Sequence, residues 1–470
     1  MNGILAAVMV PHPPLIVAEV GRGEEKKIQK TIDAYREAAE WITAYQPETV
    51  VILSPHQTMY ADYFHISPGK GARGDLGNFR AGNVKFEVSY DMDFVKELCL
   101  LADRRGLPAG TLGEREKKLD HGTMVPLYFL EQFYHDYKIV RIGLSGLPLV
   151  RHYELGECIR EAVVRLNRKT VIIASGDLSH RLKEDGPYGF REEGPVYDER
   201  IMKVMGTGDF SELFSFSEKF CDKAGECGHR SFTIMAGAFD QTEVKARQLS
   251  YEGPFGVGYG VCTFEAVGEN SARNFRQQFE EKERLRLAGL REKEDVYVRL
   301  ARRTIEKYII SGRKLQMQGD LPKELRKEMP EEMFERRAGA FVSIRKDGQL
   351  RGCIGTIQAV QSCLGEEIIE NAVSASVRDP RFSPIEPEEL ESLVISVDVL
   401  GETEKISSPE ELDTERYGVI VTKGRRRGLL LPNLEGIDTV EEQIAIAKQK
   451  AGIGAREEVE LERFEVVRHY

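Results

Sequence analysis

Four short apolar runs, at residues 4–10, 49–53, 138–144 and 170–174, punctuate roughly the first 265 residues. They contain almost no charge, so they read as strands buried on both faces. Between the first two, Ile28, Ile32, Tyr35, Ala39 and Ile42 recur at helical spacing. A crossover helix joining parallel strands is the simplest connection. The rhythm predicts an α/β domain with a central, mostly parallel sheet over residues 1–266. A Gly-rich segment at 255–264 reads as a late strand near a sheet edge, its glycines marking bulges or close backbone contacts.

Three of these runs end in a histidine motif: Pro11-His12-Pro13-Pro14, Ser54-Pro55-His56 and Gly176-Asp177-Leu178-Ser179-His180. A fourth motif, Asp120-His121-Gly122-Thr123, opens an apolar helical stretch, where Asp120 or Thr123 would cap the helix. Open α/β sheets bind ligands beyond the carboxyl ends of their strands, so the motif histidines are expected to meet at one rim. Eight of the nine histidines lie in the first half of the chain, which is where metal or acid-base chemistry is expected. His65, His135 and His152 sit outside such motifs and receive no role.

Two histidines rarely hold a divalent metal alone, so a third ligand is needed, and Gly225-Glu226-Cys227-Gly228-His229 supplies the candidates. Glu226 would complete a 2-His-1-carboxylate triad of the non-haem Fe(II) type. Cys227 would instead make a softer site suited to zinc, iron or copper.

Composition narrows the function. A length of 470 residues favours at least two domains. A net charge of -11 argues against a broad nucleic-acid footprint. No apolar run approaches the roughly 20 residues a membrane-spanning helix requires. The N-terminus lacks basic residues before its apolar run and reads as a first strand rather than a signal peptide. Seven scattered cysteines without a CxxC pair suit reduced thiols. Together these features point to a cytoplasmic protein with no membrane or nucleic-acid partner. They leave homo-oligomerisation open.

Residues 267–292 form a charge-dense stretch expected to be a solvated helical linker. In residues 293–470 the pattern changes. Val296, Leu300, Thr304, Ile305, Tyr308 and Ile309 mark a helix, and strands at 340–344 and 350–357 flank the turn signal Lys346-Asp347-Gly348. A helix at 364–377, a strand at 393–400, a hairpin around GRRRG at 424–428, a helix at 440–451 and a strand at 460–467 follow. This order predicts an α+β domain with antiparallel hairpins. Its most distinctive string is Leu350-Arg351-Gly352-Cys353-Ile354-Gly355-Thr356. Flanking glycines would admit another backbone or a ligand close to the thiol, and Arg351 is the candidate neighbour for activating it.

The PHPP, SPH, DHG and GDLSH motifs, in this order, resemble the class III extradiol ring-cleavage dioxygenase (LigB) superfamily and its Memo relatives. The resemblance implies that His12 and His56 bind Fe(II) together with a late glutamate, that His180 is the acid-base catalyst, and that His121 assists on the oxygen or substrate side. Memo proteins also match at Cys227-Gly228, so Glu226 and Cys227 stay as alternatives for the third ligand. Asp177 either orients His180 or has a capping role. The implied activity is an Fe(II)-dependent oxidoreductase using O2 on a catechol-like substrate. A metal-binding scaffold and a zinc hydrolase are the alternatives.

The second half, through LRGCIGT, Arg378-Asp379-Pro380-Arg381-Phe382 and the string 431–438, resembles the AMMECR family. That resemblance implies a cleft lined by Arg351, Cys353, Arg378, Arg381 and Glu435. The joined architecture resembles bacterial or archaeal proteins associated with a radical SAM enzyme, which implies such a partner.

Overall fold

The computed structural model describes residues 3–113, 118–434 and 436–470. The chain divides into two compact units, residues 1–280 and 281–470.

The first unit is built on a six-stranded sheet in the order Lys138–Gly143, Thr49–Ser54, Thr170–Ser175, Ile4–Val10, Tyr259–Glu269, Thr242–Glu252. The first four run parallel and the last two pair antiparallel. Alternate residues of Ile4–Val10 serve opposite faces. Ala6, Val8 and Val10 pack with Ile32, Tyr35 and Ile42 of helix Gln29–Thr43, while Ala7 and Met9 join a second cluster with Tyr153, Phe232 and Met235. Both faces are therefore dry, which is why these strands are nearly uncharged. Helix His121–Leu130 lies in the first layer, and helices Met92–Arg104, Leu149–Leu166, Glu193–Thr207 and His229–Ala238 lie in the second.

The Gly-rich segment forms a late strand one place in from the sheet edge, as expected. Its strand starts at Tyr259 and is paired on both sides, and the edge is Thr242–Glu252. That edge strand, TEVKARQLSYE, is polar or charged at most positions because much of it meets solvent. It lacks the apolar run that reveals the others. Helix Phe275–Arg291 forms within the charged stretch, as its ion-pair pattern suggests. Its first turns are not free: Phe275 is buried, Arg276 pairs with Glu157 at 2.9 Å, and Phe279 stacks on Phe214.

The second unit carries an antiparallel, curled sheet ordered Gln349–Gly355, Ala340–Lys346, Leu393–Leu400, Glu460–His469, Tyr417–Lys423, Arg426–Leu430. The long strand Glu460–His469 holds its two halves together, pairing with Leu393–Leu400 near its end and with Tyr417–Lys423 near its start. Asp347 and Gly348 turn the first hairpin at φ 52° and 78°, the left-handed conformation a two-residue turn of this kind requires. Helices Val296–Ser311 and Leu364–Val377 cover one face of the first half. Among the described residues, no helix is long and apolar enough to cross a membrane.

Candidate metal centre

The carboxyl ends of three adjacent parallel strands deliver the chemistry. Strand Ile4–Val10 leads into His12, Thr49–Ser54 into His56, and Thr170–Ser175 into Asp177 and His180. Helix His121–Leu130 begins beside them, capped by the Asp120 carboxylate, which accepts the Thr123 N–H at 3.0 Å.

His12 Nε2 and His56 Nε2 are 2.9 Å apart, and Cys227 Sγ is 3.6 Å from His12 Nε2. All three donor atoms lie within 4.8 Å of one another. Nitrogens ~2.1 Å and a sulfur ~2.3 Å from one ion, at tetrahedral to octahedral angles, stand about 2.9–3.4 Å (N to N) and about 3.1–3.6 Å (N to S) apart. The two distances from His12 match those of donors sharing one first-row ion, and the third pair lies within 4.8 Å, so the three form a candidate metal site.

Cys227 therefore joins the histidines, and Glu226 does not. The Glu226 carboxylate turns away to accept the His229 N–H at 2.6 Å, at the start of helix His229–Ala238. Burial pushes its carboxyl up to about 7. The cysteine reaches the centre because two loops touch through glycines. A Cβ on Gly176 would stand 2.1 Å from Gly228 Cα, so no side chain fits there. That contact lets the Asp177 N–H donate to Cys227 Sγ at 3.3 Å and the Cys227 N–H donate to the Asp177 carbonyl at 3.3 Å.

The hydrogen bonds fix the state of His12. Ser175 Oγ donates to the Gly122 carbonyl at 2.7 Å, so toward His12 Nδ1, 2.9 Å away, it acts as acceptor. The ring proton sits on Nδ1, and the Nε2 lone pair is free for a metal. Burial, reinforced by the neighbouring His56, holds His12 well below its ordinary range. His56 is lowered by burial, and His121 is lowered to about 3 by burial and by the like charges of His56 and His12. All three rings are neutral at pH 7. Burial also raises the Cys227 thiol, so metal entry displaces its proton.

His121 lies over His56 with ring centroids 3.9 Å apart, and the Phe79 ring meets His121 edge-on. His180 stacks against Tyr188, and its Nε2 is 4.0 Å from Asp177 Oδ2. Asp177 caps no helix. Its other oxygen accepts the His12 N–H at 2.9 Å, and burial lifts its carboxyl to about 6. Burial lowers His180.

A second tier went unread in the sequence. Ser54 Oγ accepts the His56 N–H at 3.3 Å and donates to Asp120 at 2.5 Å. Arg141 donates to the same carboxylate from Nε at 3.1 Å and Nη2 at 2.8 Å. Burial raises the Asp120 carboxyl, but Arg141, Ser54 and Thr123 together hold it below its ordinary value. The available signal was Arg141 itself, a charge inside the apolar strand Lys138–Gly143 and only 4% exposed.

In the second unit, the expected cleft residues take different partners. Arg351 is not the partner of the thiol: it binds Glu389 at 2.9 Å and the Ser383 and Pro384 carbonyls. Arg378 pairs with Glu370 at 2.8 Å. Arg381 does meet Cys353, donating to its carbonyl at 3.0 Å. Glu435 lies outside the described residues. Gly352 is a glycine because a Cβ there would stand 2.1 Å from the Ala375 carbonyl, so it admits the protein's own helix rather than a ligand.

A mostly parallel sheet with two imidazoles and a thiol gathered at its carboxyl rim defines an α/β protein with a candidate metal centre. Residues 6–262 match the family described as the catalytic LigB subunit of aromatic ring-opening dioxygenase, and residues 298–469 match AMMECR1. The chain belongs to the LigB family, its LigB unit joined to an AMMECR1 unit. A Clostridium acetobutylicum protein is 41% identical over 471 residues, covering 98% of each chain. A Thermotoga maritima protein is 50% identical over 178 residues, 37% of this chain and 98% of that one. Among solved structures, an uncharacterised Pyrococcus horikoshii protein is 34% identical with a TM-score of 0.34, covering 38% of this chain and 90% of its own.

Proposed function

We propose that the first unit is an iron-dependent oxidoreductase that uses dioxygen to cleave or oxidise a small catechol-like substrate. The observation that carries this reading is the triad His12, His56 and Cys227, three neutral donors spaced for one ion, with two further unprotonated imidazoles beside them. Bound iron would supply the electron exchange between substrate and dioxygen that side chains cannot.

The chain's own groups supply proton transfer and orientation. His180, lowered by burial, is unprotonated at neutral pH and takes a hydroxyl proton from the substrate. Asp177, near its Nε2, favours the resulting imidazolium. His121, its ring tilted against that of His56, serves the oxygen side. Tyr188 and Phe79 flank His180 and His121 and offer aromatic faces to a planar substrate. A radical SAM protein is the proposed partner of the joined units.

Metal analysis after anaerobic purification, followed by oxygen uptake with a panel of catechols, tests this. Iron with oxygen consumption is expected. Metal without turnover would make the unit a scaffold, and zinc with ester or amide cleavage a hydrolase. His180→Ala is expected to keep its metal and lose oxygen uptake; unchanged uptake would remove His180 from catalysis.

A further inference from the structure

His180 stands on a segment, Leu178 to Arg181, that follows strand Thr170–Ser175 and belongs to no helix or strand. Its direction is therefore set by what the neighbouring groups bind. On one side the segment pairs with the residue entering strand Tyr259–Glu269. The Leu178 N–H donates to the Gly258 carbonyl at 2.9 Å, and the Gly258 N–H donates to the Ser179 carbonyl at 2.8 Å. On the other side Ser179 Oγ donates to the Ala224 carbonyl at 2.7 Å, and the His180 N–H donates to the Gly225 carbonyl at 3.3 Å.

The remaining hold is a side chain from a distant helix. Asp198, on helix Glu193–Thr207 and only 1% exposed, accepts the Ser179 N–H on Oδ1 at 2.8 Å. Its Oδ2 accepts the Tyr251 hydroxyl from the edge strand at 2.8 Å, which fixes the plane of the carboxyl group and keeps Oδ1 toward the loop. Space is cleared for this contact. A Cβ on Gly258 would stand 2.0 Å from Asp198 Oδ2, and one on Gly194 would stand 2.7 Å from Ser179 Oγ. Burying a carboxyl group is costly unless it is hydrogen-bonded, and here one of its two partners is the residue just before His180.

We propose, resting on the role given above to His180, that Asp198 and Tyr251 are positioning residues that hold the His180 ring in place for proton transfer. Neither is assigned contact with the substrate. Without the carboxyl group the Ser179 N–H, in a fully buried residue, loses its acceptor, and the segment turns to find another. The His180 ring then leaves its stack on Tyr188.

The full chain, its metal centre filled with diamagnetic zinc and its histidines isotope-labelled, is compared by NMR with Asp198→Ala, Asp198→Asn and Tyr251→Phe. The His180 signal, assigned through His180→Ala, is shielded by the Tyr188 ring, whose centroid lies 5.1 Å away. In Asp198→Ala it is expected to move to the position of a free imidazole while His152 and His229, buried elsewhere in the unit, keep theirs. Asp198→Asn, whose amide oxygen still accepts the Ser179 N–H, is expected to restore it. Tyr251→Phe, altered at an exposed ring, should fall between. With a catechol that turns over, Asp198→Ala is expected to lower kcat about tenfold or more, with KM within about twofold, and Asp198→Asn to recover most of the loss. A His180 signal unmoved in Asp198→Ala, or moved equally by alanine and asparagine, would overturn the proposal. Should His152 and His229 also shift in Asp198→Ala, Tyr251→Phe decides, and an unmoved His180 signal there overturns it. A natural chain without turnover would count against the oxidoreductase reading instead, and the His180 signal would still decide the placement.

Discussion

Cys227 and Glu226 are neighbours in the chain and serve different tasks, one facing the two imidazoles and the other closing a helix start. Cys227→Ala is expected to cost more metal affinity than any change outside the three donors. Ser175→Ala, which frees the His12 ring, is expected to lower affinity about 10–100-fold, and Glu226→Gln to leave it nearly unchanged; competition with a chelating dye reads all three. A different carboxylate contributes to the pH dependence of stability. Asp198 accepts the Ser179 N–H at 2.8 Å and the Tyr251 hydroxyl at 2.8 Å, and burial raises its carboxyl to about 7. The folded chain keeps this proton where the unfolded chain has lost it. Its contribution is complete below the ordinary carboxyl range near pH 4 and is lost as pH rises toward 7. Relative to Asp198→Asn, the natural chain should lose up to about 4 kcal/mol across that window, measured as the difference between their urea unfolding curves.

At the scale of elements, the chain reads well wherever burial is two-sided or a turn imposes its own chemistry. The strand Ile4–Val10, the helix Gln29–Thr43 and the Asp347-Gly348 hairpin all stand close to where periodicity and turn residues place them. Thr242–Glu252 escapes because an edge strand facing water carries charges at positions where a central strand carries valine or isoleucine. Loop contacts are less legible still. Gly176 looks like an ordinary turn residue, yet its missing side chain is what lets Gly228 approach. Gly176→Ala is expected to destabilise the first unit by roughly 1–3 kcal/mol, the usual range for an overpacked site. It should also weaken metal binding, because Cys227 moves with Gly228. Calorimetry and metal titration on the same variant test both effects.

At the scale of the whole molecule, every donor of the metal centre and each of its supporting residues belongs to residues 1–280. A fragment ending at Glu280 is expected to bind metal with the affinity of the full chain, whereas residues 281–470 alone are expected to bind none at that affinity. Isothermal titration of the two fragments checks this. The sequence alone determined the α/β and α+β classes, the strands whose ends carry His12, His56 and His180, and the distinctive thiol string around Cys353. Those features are local, since apolar periodicity and turn chemistry act over a few residues. Only the tertiary structure decided that Cys227 rather than Glu226 meets the histidines, that Arg141 supports His56 through Asp120 and Ser54, and that Arg381 rather than Arg351 attends Cys353. Each depends on side-chain direction at a contact between loops or strands far apart in the chain, such as the His12 N–H on Asp177 across 165 residues. No short stretch of sequence encodes that direction.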